Sequence, residues 1–193
     1  MDKKLELEAK ELLYSSVVDQ LQKTLDEEKI NLCKTYFFES IDVELMEDED
    51  ERRVLFFWKD KPGKRISFKN IKINIFKLLK GIAELYFECQ ILNGFNYVCI
   101  IVNVVKMLLE ACMLYLTEEE TIIIVAIYQG VSTGEQITDS NLCDKVNLYM
   151  EDYMGMGMQP KRIYKDIDSL CKKGIIDIED GRFKIVDCTI MLV

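Results

Sequence analysis

The chain has 193 residues, of which 49% are apolar, and a formal charge of −9. That length suits one domain or two small ones with a substantial core, and the acidity disfavours indiscriminate binding to polyanions. Histidine is absent, which excludes His-based catalytic triads, histidine acids and bases, and zinc sites that use imidazole.

Residues 3–29 read as a helix. Leu5, Leu12, Val17, Leu21 and Leu25 form most of an apolar stripe with charge between them. Residues 36–46 read as a strand, because Ile41, Val43 and Leu45 alternate with Asp42 and Glu44. The acidic run Glu47-Asp48-Glu49-Asp50-Glu51 makes a turn, and residues 53–59 return as a second strand through Val54, Leu55, Phe56, Phe57 and Trp58. Lys61-Pro62-Gly63-Lys64 is the clearest turn in the chain, and residues 65–69 offer a third strand. Short connections favour a small antiparallel sheet. Residues 70–91 and 95–116 then carry helical patterns. The second is apolar on most faces and is expected at the centre of the N-terminal core.

Thr117-Glu118-Glu119-Glu120 is a capping box that starts a helix over residues 118–129. Residues 130–134 make a loop, and Thr138 or Asp139 caps a helix that runs to about Met154. A further helix opens at Gln159-Pro160-Lys161-Arg162, carries Ile163, Ile167 and Leu170 on one stripe, and stops at Gly174. A strand (175–178), the turn Glu179-Asp180-Gly181 and a second strand (182–186) follow. Helix, helix, helix, hairpin is the order of a winged helix-turn-helix. The expected fold is therefore mostly helical α+β. Residues 1–116 form a helical domain with a small sheet, serving oligomerisation or a partner, and residues 117–193 form a winged helix. The boundary at Thr117 is soft, because no linker separates the two strong helices, and the halves are expected to pack together.

The seven cysteines (33, 89, 99, 112, 143, 171 and 188) are odd in number and contain no C-x-x-C pair. They read as reduced, mostly buried thiols of an intracellular protein rather than as a metal site. The first six residues lack an apolar core of signal-peptide type. Residues 89–105 hold no charge, yet Gln90, Asn93, Gly94, Asn96 and Asn103 interrupt them, so two buried helices are expected rather than a membrane span.

Two regions carry candidate binding residues. Between Met158 and Gly174, five cations (Lys161, Arg162, Lys165, Lys172 and Lys173) face the two anions Asp166 and Asp168. Residues 117–193 as a whole hold eight Lys and Arg against fourteen Asp and Glu, so positive charge gathers on one helix of an acidic unit. Gln159, Lys161, Arg162 and Lys165 occupy the first turns, where helix-turn-helix proteins place base-edge and phosphate contacts. An ordinary solvated helix surface is the alternative, and the helix dipole accounts equally well for Lys172 and Lys173. Arg182 and Lys184 on the wing are further candidates, although the hairpin tip is acidic. The second region, residues 59–80, has eight cations against Asp60 alone, with Phe68 and Phe76 among them. Its Lys64, Arg65, Lys69 and Lys72 form a possible second basic patch. Neutralisation by neighbouring acids is the alternative.

Met154-Gly155-Met156-Gly157-Met158 is too short for a dinucleotide fingerprint and reads as the turn between two helices. No phosphate-loop motif is present, and spacing singles out no pair of carboxylates. The expectation is therefore no catalytic residue, no metal and no cofactor.

The stretch Leu116-Thr117-Glu118-Glu119-Glu120-Thr121-Ile122-Ile123-Ile124-Val125-Ala126-Ile127 resembles the opening helix of the C-terminal winged helix in archaeal and eukaryotic replication initiators of the origin-recognition type. Leu142, Tyr149, Gly155, Gln159-Pro160-Lys161-Arg162-Ile163, Asp166, Leu170 and Gly174-Ile175-Ile176 continue the resemblance. It implies that the helix opening near Arg162 contacts duplex DNA. Residues 1–116 show no nucleotide-binding motif, so the initiators' ATPase domain has no counterpart here. The expected function is non-enzymatic binding of double-stranded DNA in transcription or replication. The alternative is a winged-helix protein-interaction subunit of a larger complex, with a protein partner or a homodimer formed through the N-terminal domain.

Overall fold

A computed structural model describes residues 3–45, 55–57, 65–87 and 95–191. The chain opens with α1 (Lys3–Leu21) and α2 (Glu27–Ser40), then β1 (Ile41–Leu45), β2 (Leu55–Phe57) and β3 (Arg65–Ile73). Helices α3 (Ile75–Phe87), α4 (Phe95–Ala111), α5 (Glu118–Ser132), α6 (Leu142–Met154) and α7 (Pro160–Lys172) follow. The chain closes with β4 (Ile176–Glu179), β5 (Arg182–Ile185) and β6 (Cys188–Met191). The fold is mostly helical α+β with a small antiparallel sheet.

Helix α1 ends at Leu21 rather than running to residue 29. The Asp26 carboxylate accepts from the Lys29 amide at 3.0 Å and starts α2 afresh. Helix α2 then runs through Tyr36, Phe37 and Phe38, which strand propensity alone assigns to a sheet. Packing overrides that preference. Cys33 and Phe37 lie one turn apart and are fully buried, and the Phe37 ring sits 5.5 Å from that of Tyr14 on α1. The strand begins only at Ile41.

Strand β3 reaches Ile73, four residues into the segment expected to be helical. Its far half is paired on both sides. Ile71 faces Val43 of β1 and Ile190 of β6, and Ile73 faces Ile41 and Cys188. Ile41, Val43, Ile71, Ile73 and Cys188 are buried, whereas Asp42, Lys72 and Thr189 between them are exposed, so the sheet has one core face and one wet face. Asn74 ends the strand and caps α3, accepting from the Lys77 amide at 2.7 Å. Strand β6 has no counterpart in the sequence reading. Through it the end of the chain joins the sheet built by residues 41–73, and a single apolar cluster extends from Ala9 to Cys188. The acidic run 47–51, the turn at residues 61–64 and the junction at residues 88–94 lie outside the described residues.

In the second half, the Thr117 hydroxyl accepts from the Glu120 amide while the Glu120 carboxylate accepts from the Thr117 amide, the reciprocal box that the sequence predicts. Helix α5 is buried nearly all round, with Ile122, Ile123, Ile124 and Ile127 packed inside. Helix α6 starts at Leu142, not directly after Thr138. The Thr138 amide instead donates to the Asn141 side chain, and Thr138 bridges to Arg182 of the hairpin. The Phe183 amide donates to the Ile137 carbonyl, so this bridge pins the hairpin to the helices. Asp180 and Gly181 both take positive φ, 51° and 71°, the conformation of a two-residue hairpin turn. Ile163, Ile167, Leu170 and Ile175 are buried as their spacing predicts. Among the described residues no helix is long and apolar enough to cross a membrane.

Two substitutions test this packing. Leu170 is fully buried, so Leu170→Ala should cost about 2–5 kcal/mol in a chemical melt. A Cβ on Gly81 of α3 would overlap the Tyr36 ring on α2, and Gly81→Ala should cost about 1–3 kcal/mol by overpacking. Wild-type melting by either variant would contradict the described core.

Candidate functional site

Helix α7 is built to present its first turns. Pro160 sits at its first position, where a missing N–H costs nothing, and the Gln159 side chain makes no capping bond. Ile163, Ile167 and Leu170 face inward, while Lys161, Arg162, Tyr164, Lys165, Asp168 and Lys172 face solvent. The outward set contains Lys161, Arg162 and Lys165, three of the residues expected to contact DNA. Their electrostatic surroundings differ from one another.

Three of the five cations are engaged within the molecule. Arg162 pairs with Glu119 of α5. Lys172 pairs with Asp168 one turn back on its own helix. Lys173 donates to both oxygens of Glu120 at 2.7 Å and to the Tyr115 carbonyl at 3.1 Å. Lys161 and Lys165 are exposed and have no ion pair among the described residues. Exposed pairs add little to stability, but each cancels local charge that a phosphate would otherwise meet.

Glu120 is the centre of this arrangement. It is only 3% exposed and takes bonds from Lys173, from the Ser169 hydroxyl at 2.7 Å and from the Thr117 amide at 2.8 Å. Burial opposes its charge, but those hydrogen bonds and the Lys173 ammonium outweigh burial and hold its carboxyl below the ordinary glutamate value. Asp166 on α7 has the reverse balance. Burial pushes it up, Glu119 and Glu120 push it further, and Arg162 and Lys165 only partly compensate. One of its oxygens is buried with no hydrogen-bond partner among the described residues.

On the hairpin, Lys184 pairs with Glu179, and Arg182 lies directly across the strands from the same Glu179. Both wing cations therefore stand beside the acid of the hairpin turn. The second basic patch is likewise divided. Lys69 pairs with Glu44 at 3.2 Å and Lys72 lies opposite Asp42 on β1. Lys77 pairs with Glu39 and Lys80 with Glu84. Arg65 opens β3, and Lys64 lies outside the described residues. Phe68 is fully buried and Phe76 stacks edge-on against Tyr128 at 5.2 Å, so neither forms part of a free stacking platform.

Sequence reading passed over the outer stripe of α6. Asp144, Leu148, Glu151 and Asp152 fall on one face at helical spacing and are all exposed. None of the three acids has an ion pair among the described residues, and Leu148 is 56% exposed. The turn beyond it holds Met156, 69% exposed, and is fixed by the Asn147 side chain, which accepts from the Met158 amide at 2.6 Å. An apolar residue inside an acidic stripe was the available signal. Among the described residues no cluster of three or more Cys, Asp or Glu is placed to hold a metal ion. A cleft between α1 and α2 is floored by Tyr14, Val18, Leu25 and Ile30, and the polar groups Glu11 and Lys34 at its rim pair with each other at 2.7 Å.

Lys173→Ala would leave Glu120 buried without its cation, and a melt should show a loss of about 3 kcal/mol, the low end for breaking a buried pair. Asp166→Asn should act oppositely. The folded state holds the Asp166 proton more tightly than the unfolded chain, so this group costs stability as pH rises through its raised value. The variant should melt above wild type at neutral pH, and that advantage should vanish in acid, where both chains carry a neutral side chain. An unchanged midpoint at neutral pH would show Asp166 to be solvated.

Compared with family models, curated proteins and solved structures, the chain matches none.

Proposed function

We propose that residues 117–193 act as a winged helix-turn-helix module and that the protein works without catalysis, as a protein-interaction subunit. Three helices and a hairpin pinned to them support the first part. The observation that carries the second is the internal pairing of cations. Arg162, Lys172, Lys173 and Lys184 each meet a carboxylate of the module itself. A surface that binds duplex DNA needs several cations available to displace counterions at once. Here the available cations on α7 are two, beside an acidic α6 and an acidic hairpin tip. Exposed Leu148, Met156 and Tyr164 suit a protein partner, since interface cores are enriched in aromatic residues and methionine.

Duplex DNA is the second reading, favoured by one observation: Lys161 and Lys165 are exposed, have no ion pair among the described residues and lie one turn apart at the open end of α7. It fits the resemblance to replication initiators.

Fluorescence anisotropy with mixed-sequence duplexes across a salt series separates the two. The protein-interaction reading expects binding weaker than about 10⁻⁴ M at about 0.1 M salt. Tight binding would overturn it if the logarithmic salt slope were about −0.9 per phosphate contacted and Lys161→Glu with Lys165→Glu abolished it.

A further inference from the structure

We infer that the α6–α7 face binds a second copy of this chain, through a two-fold interface in which α6 of each copy meets the leading end of α7 of the other. The inference deepens the protein-interaction reading and rests on it.

The face has two poles. Asp144, Glu151 and Asp152 on α6 are exposed and unpaired among the described residues, with Leu148 between them. Lys161 and Lys165 on α7 are exposed and unpaired by the same criterion, with Tyr164 between them, 39% exposed. The Tyr164 hydroxyl lies 3.4 Å from the Asp139 carbonyl at the approach to α6, so α7's outer side adjoins the start of that helix. The turn bearing Met156 leads from the end of α6 into the same leading end of α7. The acidic stripe of α6 and the basic leading end of α7 therefore adjoin, each with an exposed apolar residue among its charges.

Such a surface is complementary to itself. A two-fold axis places the same patch of both copies in contact, so residue i meets residue j and j meets i. The acidic pole of each copy then meets the basic pole of the other, and both sets of charges gain partners together. Leu148, Met156 and Tyr164 are brought out of water between them. Elsewhere on the module Lys145, Arg162, Lys172, Lys173 and Lys184 already have internal partners. These two poles retain their charge, and opposite charge is what fixes register between two surfaces.

The test uses the full chain in analytical ultracentrifugation near physiological salt. Wild type should sediment with twice the chain mass, and added salt should weaken the association. Two charge reversals are made on exposed residues: Lys161→Glu with Lys165→Glu, and Asp144→Lys with Glu151→Lys and Asp152→Lys. Each variant should be monomeric by itself, with far-UV circular dichroism checking that it is folded. An equimolar mixture should recover the dimer, because each pole of one variant then opposes its complement on the other. Leu148→Ser provides a charge-neutral variant and should also weaken the dimer.

A monomeric wild type overturns the inference, as does a dimer that survives both reversals, or reversals whose mixture stays monomeric. The duplex titration described above keeps the outcomes apart. A monomer that fails to bind DNA removes this interface and leaves the protein-interaction reading standing. A monomer that binds DNA through Lys161 and Lys165 removes both.

Discussion

Glu120 is the point on which the second half of the molecule turns. A carboxylate out of contact with water is costly unless it is paired and hydrogen-bonded. This one is satisfied by groups from two places: the Thr117 amide at the start of its own helix, and Ser169 and Lys173 at the end of α7. The same residue therefore starts α5 and locates the end of α7. Gly174 follows with φ of 68° and turns the chain into β4, so the position of the hairpin depends on that contact as well. Shifting α7 along its axis would withdraw Lys173 and Ser169 and leave the charge buried alone.

The same economy of charge governs what the surface offers. Runs of Lys and Arg look like binding sites in one dimension because their partners lie far away in sequence. Arg162 and Glu119 are separated by 43 positions, and Lys173 and Glu120 by 53. Once the acidic start of α5 is folded against α7, most of the helix's charge is spent within the molecule. Among the described residues of α6 and α7, two lysines at one end of α7 and three acids on α6 have no ion pair. Electrostatic complementarity of this kind selects and orients partners more than it supplies affinity, while apolar anchors supply most of the contact energy.

Strand β3 has a comparable role for the whole chain. Its far half is flanked by β1, from early in the sequence, and by β6, from the very end. A strand paired on both sides is protected from adding further strands there. The pairing also ties the last residues of the chain to the N-terminal sheet. The module that begins at Thr117 and the helices before it share that sheet and one apolar cluster, with α4 packed against both α1 and α5.

The sequence by itself determined the features that rest on neighbours within a few positions. The capping box at Thr117, the Asp180-Gly181 turn, the stripe of Ile163, Ile167 and Leu170, and the fold class follow from local geometry and from a helical period of 3.6. Tertiary structure decided the rest. Tyr36, Phe37 and Phe38 prefer strands by propensity, but the core against Tyr14 holds them in a helix. Ile71, Lys72 and Ile73 suit a helix pattern as well as an alternation, and pairing with β1 and β6 made them a strand. The short β6 carries too weak a pattern to be read without its partner. The cations at Arg162, Lys173 and Lys184 kept their identity as charged residues but lost their availability. That loss depends on which acids the fold brings within a few ångströms, a distance that sequence spacing does not encode.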